Sequence, residues 1–371
     1  MIQYSFFDPE NGNCTETFFS GISLPAEDFA TEVRTLLDSY ENALKETGCS
    51  EKTEFLLRFH LSDITNQAPL LRSILGQRNT FLSIIGQPPA GGRIALEAWH
   101  ISPFSKESAG DNNWKIRFKN YEVLLARGKD PESTGSYAQT AAEFSALENL
   151  LARYNGKIAD NTVRTWLYCR DVDNNYAGLV EARNHWFERI GLTAQTHFIA
   201  STGIEAQSEM PSRLISMDSL SFPGMDPEQL IYLADLEMLS STALYGVSFE
   251  RGTRMIFGDR SHYYISGTAS IDKYGKVLFL NDPAAQTGRI IDNMEALLKS
   301  SSGSLSDLKF ATVYLRDLRD VERVRSVLKE RISFPLPMIF LQAPVCRPAW
   351  LVEIEAFGVN HCGSEQFAPL I

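Results

Sequence analysis

Residues 344–357 read PVCRPAWLVEIEAF, a stretch that joins a cysteine and an arginine to an alternating apolar pattern with two glutamates. Residues i and i+2 of a strand point to the same face, so the pattern predicts a strand with Glu353 and Glu355 on one side. Two acids at one surface can have different roles, and the rest of the chain helps to separate them.

Two earlier segments resemble this strand, because residues 93–98 read RIALEA and residues 214–219 read LISMDS. Aligning the three copies on their last acid brings together Glu97, Asp218 and Glu355. The position two residues earlier holds Ala95, Ser216 and Glu353. An acid at the earlier position exists in the third copy alone. We therefore predict that Glu355 is structural and that Glu353 carries the chemistry.

The elements before each of these strands also recur. Apolar runs at 58–64, 166–172 and 313–318 each contain an aspartate and lead into a helical pattern. The aspartates suit helix N-caps: Asp63, Asp171 and Asp317. A helical stretch precedes each run, and in the third copy a hairpin of residues 254–257 and 263–266 precedes that helix. The order β-β-α-β-α-β predicts parallel pairing across both strand-helix-strand crossovers, with the helices on one face.

The sequence thus predicts an α/β (α+β) chain of three such units, at residues 1–105, 106–222 and 223–371. A length of 371 residues allows two or three domains, and 44% hydrophobic with 22% charged residues is ordinary for a globular protein. No apolar run approaches the roughly 18 residues of a membrane-spanning helix. The first residues lack the pattern of a signal peptide, so we expect a cytoplasmic protein without membrane contact.

A net charge of −11 argues against nucleic acid as a partner, since phosphate binding relies on concentrated Lys and Arg. Arginines nevertheless gather near the third hairpin and the distinctive strand: Arg251, Arg254, Arg260 and Arg347. Guanidinium groups bind carboxylates in bidentate fashion, which favours a small anionic ligand, above all for Arg251 and Arg347. The alternative is that these arginines pair with surface acids such as Glu250 and Asp259.

The cysteines give no sign of a disulfide framework or a metal site. Five of them lie at irregular spacing: Cys14, Cys49, Cys169, Cys346 and Cys362. An odd, irregular set is typical of reduced thiols and offers no zinc pattern. We therefore predict no zinc site. No Gly-rich phosphate loop or metal cluster stands out either, so we expect no metal and no cofactor.

The unit order, the run 266–270 and the strand 352–355 resemble the YjgF/Rid superfamily, whose members are trimers with sites in the clefts between subunits. This resemblance implies that one chain with three units is a monomer that imitates the trimer, and further association stays open. A wider set resembles the chorismatase family, in its FkbO-like branch: residues 164–166, 200–204, 245–252, 265–271, 285–287, 313–316 and 346–355.

Imine deaminases of the Rid group hold the substrate carboxylate with an arginine after a Phe-Pro turn, and residues 334–337 offer Leu336 there. An imine deaminase or a Rid-like binder of small metabolites is therefore the alternative to a chorismatase. An assembly module whose units serve only as scaffold is a further alternative.

The chorismatase resemblance implies release of pyruvate from chorismate, leaving a hydroxybenzoate or a dihydroxycyclohexadiene carboxylate. The reaction begins with protonation of the enolpyruvyl group, for which Glu353 is the general acid. Cys346 is the second catalytic candidate, and a cysteine there resembles the branch that forms 3-hydroxybenzoate. The residues expected to bind the substrate are Tyr245, Arg251, Gly267, Thr268, Ala269 and Arg347. Because the arginines favour an ionised Glu353, we expect its protonated form only with the dianion bound.

Overall fold

The computed structural model describes residues 2–9, 12, 15–128 and 133–371. Its architecture is α/β, with three mixed sheets that each carry helices on one face. We define the first, second and third units as these three sheets with their helices. The boundaries 1–105, 106–222 and 223–371 remain a proposal.

The first unit is a five-stranded sheet with two helices. Its strands are β1 (Ile2–Phe7), β2 (Thr15–Ile22), β3 (Glu54–Leu61), β4 (Phe81–Gly86) and β5 (Ile94–Ser102). Its helices are α1 (Phe29–Thr47) and α2 (Ile64–Leu75). The strand order is β1-β2-β5-β3-β4, so the closing strand lies in the middle of the sheet.

The second unit repeats this order and adds one strand at the edge. Its strands are β6 (Ser105–Gly110), β7 (Asn113–Arg117), β8 (Glu122–Arg127), β9 (Thr162–Cys169), β10 (Ala200–Glu205) and β11 (Ile215–Ser221). Its helices are α3 (Ser136–Ala152), the short α4 (Ile158–Asn161) and α5 (Val172–Arg189). The order is β10-β9-β11-β8-β7-β6.

The third unit also has six strands in the described part of the chain. They are β12 (Leu230–Tyr232), β13 (Gly252–Ile256), β14 (Ser261–Ala269), β15 (Leu308–Leu315), β16 (Met338–Gln342) and β17 (Val352–Asn360). The helices are α6 (Pro283–Lys299) and α7 (Val321–Arg331). The order is β12-β13-β14-β17-β15-β16, which again places the closing strand centrally.

The topology corrects one expectation about the crossovers. Each unit has a strand that the sequence analysis did not assign, namely β4, β10 and β16, and each of these pairs in parallel with the strand before it. The first crossover of the first unit runs from β2 through α1 to β3. These two strands are not neighbours, because β5 lies between them and is antiparallel to both. The prediction of two parallel pairings per unit was therefore wrong: the first crossover joins strands that are not neighbours, and the second leads to an unassigned parallel strand and not to the closing strand.

The register of the sheets supports the alignment of the three closing strands. Glu97 lies opposite Arg58 on β3, Asp218 opposite Trp166 on β9, and Glu355 opposite Thr312 on β15. The three acids therefore occupy one equivalent position in the three sheets.

One of the three predicted helix caps forms as expected, because Asp63 accepts from the backbone N–H of Asn66 at 3.3 Å at the start of α2. Asp317 accepts from the N–H of Arg319 at 2.9 Å and caps the 3-10 turn Leu318–Asp320 that leads into α7. Asp171 instead adopts φ 52°, and the N–H of Val172 donates to Glu205 Oε2 at 2.6 Å. The cap in the second unit is thus supplied by the end of β10, and the prediction of a side-chain cap by Asp171 was wrong.

Buried arginine–carboxylate pairs join the units. Arg58 bonds Asp218 at 3.2 Å between the first and second units, and Arg164 bonds Glu355 at 2.6 Å between the second and third. Arg260 bonds Glu16 at 2.8 Å between the third and first. Burial alone would raise the pKa of Glu16, but the charges of His262 and Arg260 outweigh it and lower that pKa to about 2.

The inner faces of the sheets meet in one apolar cluster. It includes Phe18 and Trp99 of the first unit, Leu220 of the second, and Tyr264 of the third. The three units therefore share a core and form a pseudo-trimer within one chain. None of the helices in the described residues is long and apolar enough to cross a membrane.

Candidate active site

A cavity of about 510 Å³ lies in the cleft between the second and third units. The second unit supplies one wall from α5 and β10, and the third supplies the other from β14, β17 and the loops before β13 and β17. The volume falls in the range of small-molecule sites, roughly 300–1,000 Å³. Most of the predicted site residues line it: Tyr245, Arg251, Gly267, Ala269, Cys346, Arg347 and Glu353.

Hydrogen bonds between the units hold the cleft in shape. The side chain of Asn184 on α5 donates to the carbonyl of Gly246 at 3.0 Å and accepts from Ser248 at 2.6 Å. These bonds tie the loop that carries Tyr245 to the second unit.

Gly267 lies where the pairing of β14 with β17 shifts its register. Its backbone N–H, free of the ladder, donates to Thr202 Oγ1 of the second unit at 2.9 Å. A Cβ at this position would lie 2.3 Å from Glu353 Oε1 and 3.0 Å from Thr202 Cγ2. Only glycine leaves room for the carboxyl of Glu353 at this place.

Glu353 is a buried acid that faces the cavity. Burial and, after it, the negative charge of Glu355 raise its pKa to about 8, against the opposing charges of Arg251 and Arg164. The carboxyl is thus mainly protonated at neutral pH. We expected protonation only with a bound dianion; in the structure, burial outweighs the arginines without a ligand.

Glu355 has a different environment although it shares the face of Glu353. Its carboxylate accepts from Arg164 Nη2 at 2.6 Å and from Trp166 Nε1 at 3.1 Å, both in the second unit. These bonds occupy both carboxylate oxygens. The arrangement is that of a structural acid at an interface, whereas the neighbouring Glu353 forms no ion pair within the described residues.

Arg251 and Arg347 both lie close to the ring of Tyr245. The guanidinium of Arg251 is 5.5 Å from the ring centre, and that of Arg347 is 4.6 Å from it and 4.7 Å from that of Trp350. Their hydrogen bonds go to backbone carbonyls, of Ser240 at 3.1 Å and of Gly275 at 3.2 Å. Neither guanidinium forms an ion pair with a carboxylate of the described residues, so both can bind an anionic ligand.

Arg183 is a site residue that the sequence analysis missed. It lies on α5, is 1% exposed, and lines the cavity from the second unit. Its Nε and Nη2 are buried without a hydrogen-bond partner in the described part of the chain, and its guanidinium is 5.9 Å from the Phe249 ring. A buried unpaired guanidinium is costly, which indicates a position made for an anion.

A sequence signal for Arg183 exists. The residue lies four positions after Leu179 and four before Phe187, both buried, so it falls on the apolar face of α5. An arginine on such a face needs a partner, and the positions three and four residues away on α5, 179, 180, 186 and 187, hold no acid.

Cys346 lies beside Tyr176 at the same cleft. Burial, followed by the charge of Glu353, raises the pKa of the thiol to about 12, although a hydrogen bond with Tyr176 lowers it. Tyr176 also packs over β10, where a Cβ at Gly203 would be 3.1 Å from its ring. The thiol is therefore neutral, and any role at this site is that of a thiol rather than a thiolate.

Some arginines and one threonine lie elsewhere than expected. Thr268 does not line the cavity, because alternation along β14 turns it from the face of Gly267 and Ala269, and its hydroxyl donates to the carbonyl of Ser266 at 2.9 Å. Arg254 donates to the carbonyls of Ser301 and Cys362, and Arg260 pairs with Glu16 and Asp259. These two arginines are structural.

Residues 2–9, 12, 15–128 and 133–371 contain no group of three or more His, Cys, Asp or Glu side chains placed to hold a metal ion. Cys49, Cys169, Cys346 and Cys362 are free thiols, and Cys14 lies outside the described residues.

Comparison with known proteins finds a family match within the third unit. Residues 257–360 match the family model described as Endoribonuclease L-PSP. Yeast Mmf1 is 17% identical and covers 35% of this chain and 98% of its own, with a TM-score of 0.31. RidA from the Antarctic bacterium Psychrobacter is 22% identical and covers 34% of this chain and 98% of its own, with a TM-score of 0.29.

Over the whole length, the chain is similar to a crystal structure of a chorismatase at 1.08 Å resolution. The two are 19% identical, with a TM-score of 0.68, and the match covers 95% of this chain and 99% of that chain. The predicted chorismatase-like fold of three joined units is confirmed.

Proposed function

We propose that the protein is an enzyme that releases pyruvate from chorismate at the cleft between the second and third units. The observation that carries the proposal is the buried carboxyl of Glu353 in a cavity lined by Arg183, Arg251 and Arg347, where burial raises the pKa of that carboxyl to about 8. Chorismate has two carboxylates and an acid-labile enolpyruvyl ether. The cavity thus offers positive charge for the first feature and a proton for the second.

In the proposed reaction, the Glu353 carboxyl transfers its proton to the methylene carbon of the enolpyruvyl group. The positive charge then rests on the adjoining carbon and the ether oxygen, and a water adds to that carbon. Collapse of this adduct breaks the bond between the carbon and the ether oxygen, which releases pyruvate and the ring alcohol. Glu353 recovers a proton from the water, so one water is consumed in total.

The fate of the ring depends on the next step. If the ring alcohol leaves unchanged, the product is a dihydroxycyclohexadiene carboxylate. If the ring loses its second hydroxyl as water, it becomes aromatic, the product is a hydroxybenzoate, and no water is consumed overall. We propose the hydroxybenzoate, since Cys346 is present as a neutral thiol at the cleft.

The arginines have distinct places in this proposal. Arg183 approaches from the second unit, whereas Arg251 and Arg347 flank Tyr245 in the third. A dicarboxylate can therefore bridge the two walls of the cleft. Binding at both walls fixes the enolpyruvyl group relative to Glu353, which is the kind of orientation that lowers reaction barriers.

The test is to incubate purified protein with chorismate and follow pyruvate with a coupled lactate dehydrogenase assay. We expect turnover by the wild type and a rate about 10²–10⁴-fold lower for Glu353→Gln, the cost of losing a general acid. Calorimetry should show that Glu353→Gln still binds chorismate. Chromatography of the products then distinguishes the hydroxybenzoate from the dihydroxycyclohexadiene carboxylate.

Other outcomes would contradict the proposal. Saturable binding of chorismate without pyruvate release would indicate a Rid-like binder, and the absence of both would favour a scaffold. Release of ammonia from an imine substrate without pyruvate release from chorismate would favour an imine deaminase, although Leu336 lines a different cleft.

A further inference from the structure

A second cavity, of about 250 Å³, lies between the third and first units. The third unit supplies α7 and β16, and the first supplies β2, β5 and the segment before β5. By position in their units, α7 and β16 are equivalent to α5 and β10 of the candidate active site, and β2 and β5 are equivalent to β14 and β17. The second cavity therefore occupies the equivalent cleft one step around the pseudo-trimer.

Pairing in the sheets makes this equivalence specific. Ala269 lies opposite Glu353 in the ladder of β14 and β17, and both line the first cavity. Ile22 lies opposite Ala95 in the ladder of β2 and β5, and both line the second. The second cavity thus has a methyl group where the first has its acid.

A positive charge is present at both clefts at the same place. Arg183 and Lys329 each lie twelve residues after the aspartate that follows the preceding strand, Asp171 and Asp317, and each lines its cavity. Lys329 is exposed and forms no hydrogen bond or ion pair with other described residues. The second cavity therefore keeps the cation of the active site but not its acid.

The other walls of the second cavity are largely apolar. Arg325 stacks on Phe340 at 4.7 Å and is paired with Glu322 at 2.8 Å, so its charge is already balanced. The apolar lining comes from Ile22, Ala95, Leu328, Leu336, Met338 and Phe340. One unpaired ammonium group beside apolar walls matches one carboxylate attached to an apolar body.

Described side chains bridge the third cleft, between the first and second units. Arg127 donates to Ser83 Oγ at 2.7 Å and to the carbonyl of Ile84 at 3.0 Å. Gln207 packs on Gly86, where an added Cβ would lie 2.8 Å from the Gln207 Cβ. Side chains can thus fill a cleft of this fold. The fold alone does not require the cleft with Lys329 to be open.

We propose that the cleft between the third and first units binds a small monocarboxylate with an apolar, ring-sized body, and that it does so without chemistry. The ammonium of Lys329 pairs with the carboxylate, and the apolar body occupies the space next to Ala95. The proposal does not depend on turnover at Glu353, so it stands or falls independently of the proposed function.

The test uses benzoate as the probe and methyl NMR on the full chain. Ile22 and Met338 report on the second cavity, and Val180 and Ile271 report on the first. We expect saturable shifts of the Ile22 and Met338 methyl signals at benzoate concentrations up to about 10 mM, above the roughly 1 mM dissociation constant of a weak ligand. The signals of Val180 and Ile271 show whether the first cavity also binds benzoate.

Three variants and a neutral probe sharpen the test. Lys329→Ala should weaken the binding seen at Ile22 and Met338 by about fivefold, as for a partly exposed charge pair, whereas Lys329→Arg should retain it. Ala90→Phe should abolish it by filling the cavity, and benzyl alcohol, which lacks the charge, should bind more weakly than benzoate. Unshifted Ile22 and Met338 signals, an unaffected Lys329→Ala, or equal binding of benzyl alcohol would overturn the proposal.

Discussion

The carboxyl of Glu353 fills the space in front of Gly267, since a Cβ at residue 267 would lie 2.3 Å from Glu353 Oε1. We therefore predict that Gly267→Ala displaces the carboxyl and lowers pyruvate release at least about 10²-fold, as for loss of a positioned general acid. The measurement is the kcat of pyruvate release from chorismate, together with a melting curve to confirm folding.

Gly288→Ala is the matched control for this substitution. Gly288 lies within α6, and an added Cβ there meets no atom within 4 Å. The activity of this variant should equal that of the wild type. Equal activities of both alanine variants would show that the carboxyl of Glu353 does not need its observed position.

The raised pKa of Glu353 predicts the pH dependence of activity. Since burial holds this pKa at about 8, the protonated form that donates the proton is lost as the pH rises above that value. We expect kcat/KM, which reports the pKa of the free enzyme, to be roughly constant below pH 8 and to fall tenfold per pH unit well above it. A rate that instead falls near pH 4.5 to 5 would indicate an ordinary, exposed acid.

The same pKa has a consequence for stability. A carboxyl whose pKa is raised in the folded state binds more protons there than in the unfolded chain between about pH 4.5 and 8, so its contribution falls as the pH rises through this window. A glutamine side chain does not titrate, so the Glu353→Gln variant does not lose this contribution to stability as the pH rises. The unfolding free energy of Glu353→Gln minus that of the wild type should therefore be larger at pH 9 than at pH 6, which denaturant titration would measure.

Glu355→Gln should affect stability rather than chemistry. The substitution removes the charge that pairs with Arg164 at 2.6 Å across the interface of the second and third units. Breaking a buried ion pair costs about 3–5 kcal/mol, because the remaining charge stays buried without a partner. We expect a lower melting temperature with substantial pyruvate release below it; an unchanged melting temperature would contradict the structural role.

Arg183 and Arg164 are predicted to respond in opposite ways to the same substitution. Arg183→Met removes a buried cation with two unpaired nitrogens, so it should leave the unfolding free energy equal or higher and weaken chorismate binding by roughly 2–5 kcal/mol. Arg164→Met, which breaks the pair with Glu355, should lower the unfolding free energy. Calorimetry and denaturant titration on both variants make the comparison, with Arg251→Ala and Arg347→Ala as further tests of binding.

Cys346 should be unreactive despite its place at the cavity. With a thiol pKa of about 12, only roughly one part in 10⁴ is thiolate at pH 8, and the thiolate is the species that reacts with iodoacetamide. Cys362, which is exposed, should be alkylated first, as peptide mass spectrometry would show. Preferential alkylation of Cys346 would point to an activated thiolate instead.

Much of the fold could be predicted from the sequence because the units repeat. The closing strands, the helices after the aspartates and the hairpin at β13 and β14 all carried a period or a turn signal. The edge strands β4, β10 and β16 were missed because they are short. Runs such as MIFLQ at 338–342 have no period that distinguishes a strand from part of a helix.

The site was predictable only as far as it lies in one unit. Glu353 was found by comparing the three closing strands, and Gly267 through the family resemblance of the run 266–270. Arg183 comes from the other wall, on α5 of the second unit, and no local pattern tells which unit the face of a helix will meet. Thr268 lies outside the cavity because alternation along β14 turns it away from the face of Gly267 and Ala269, and the sequence did not show which face that would be.

The fusion of three units in one chain has a genetic consequence for the clefts. In a homotrimer, one codon changes every cleft at once, because symmetry repeats each residue around the axis. Here Glu353, Ala95 and Ser216 are separate codons at equivalent positions, and Arg127 closes one cleft without closing the other two. Each cleft of this protein can therefore gain, lose or exchange a function while its neighbours stay unchanged.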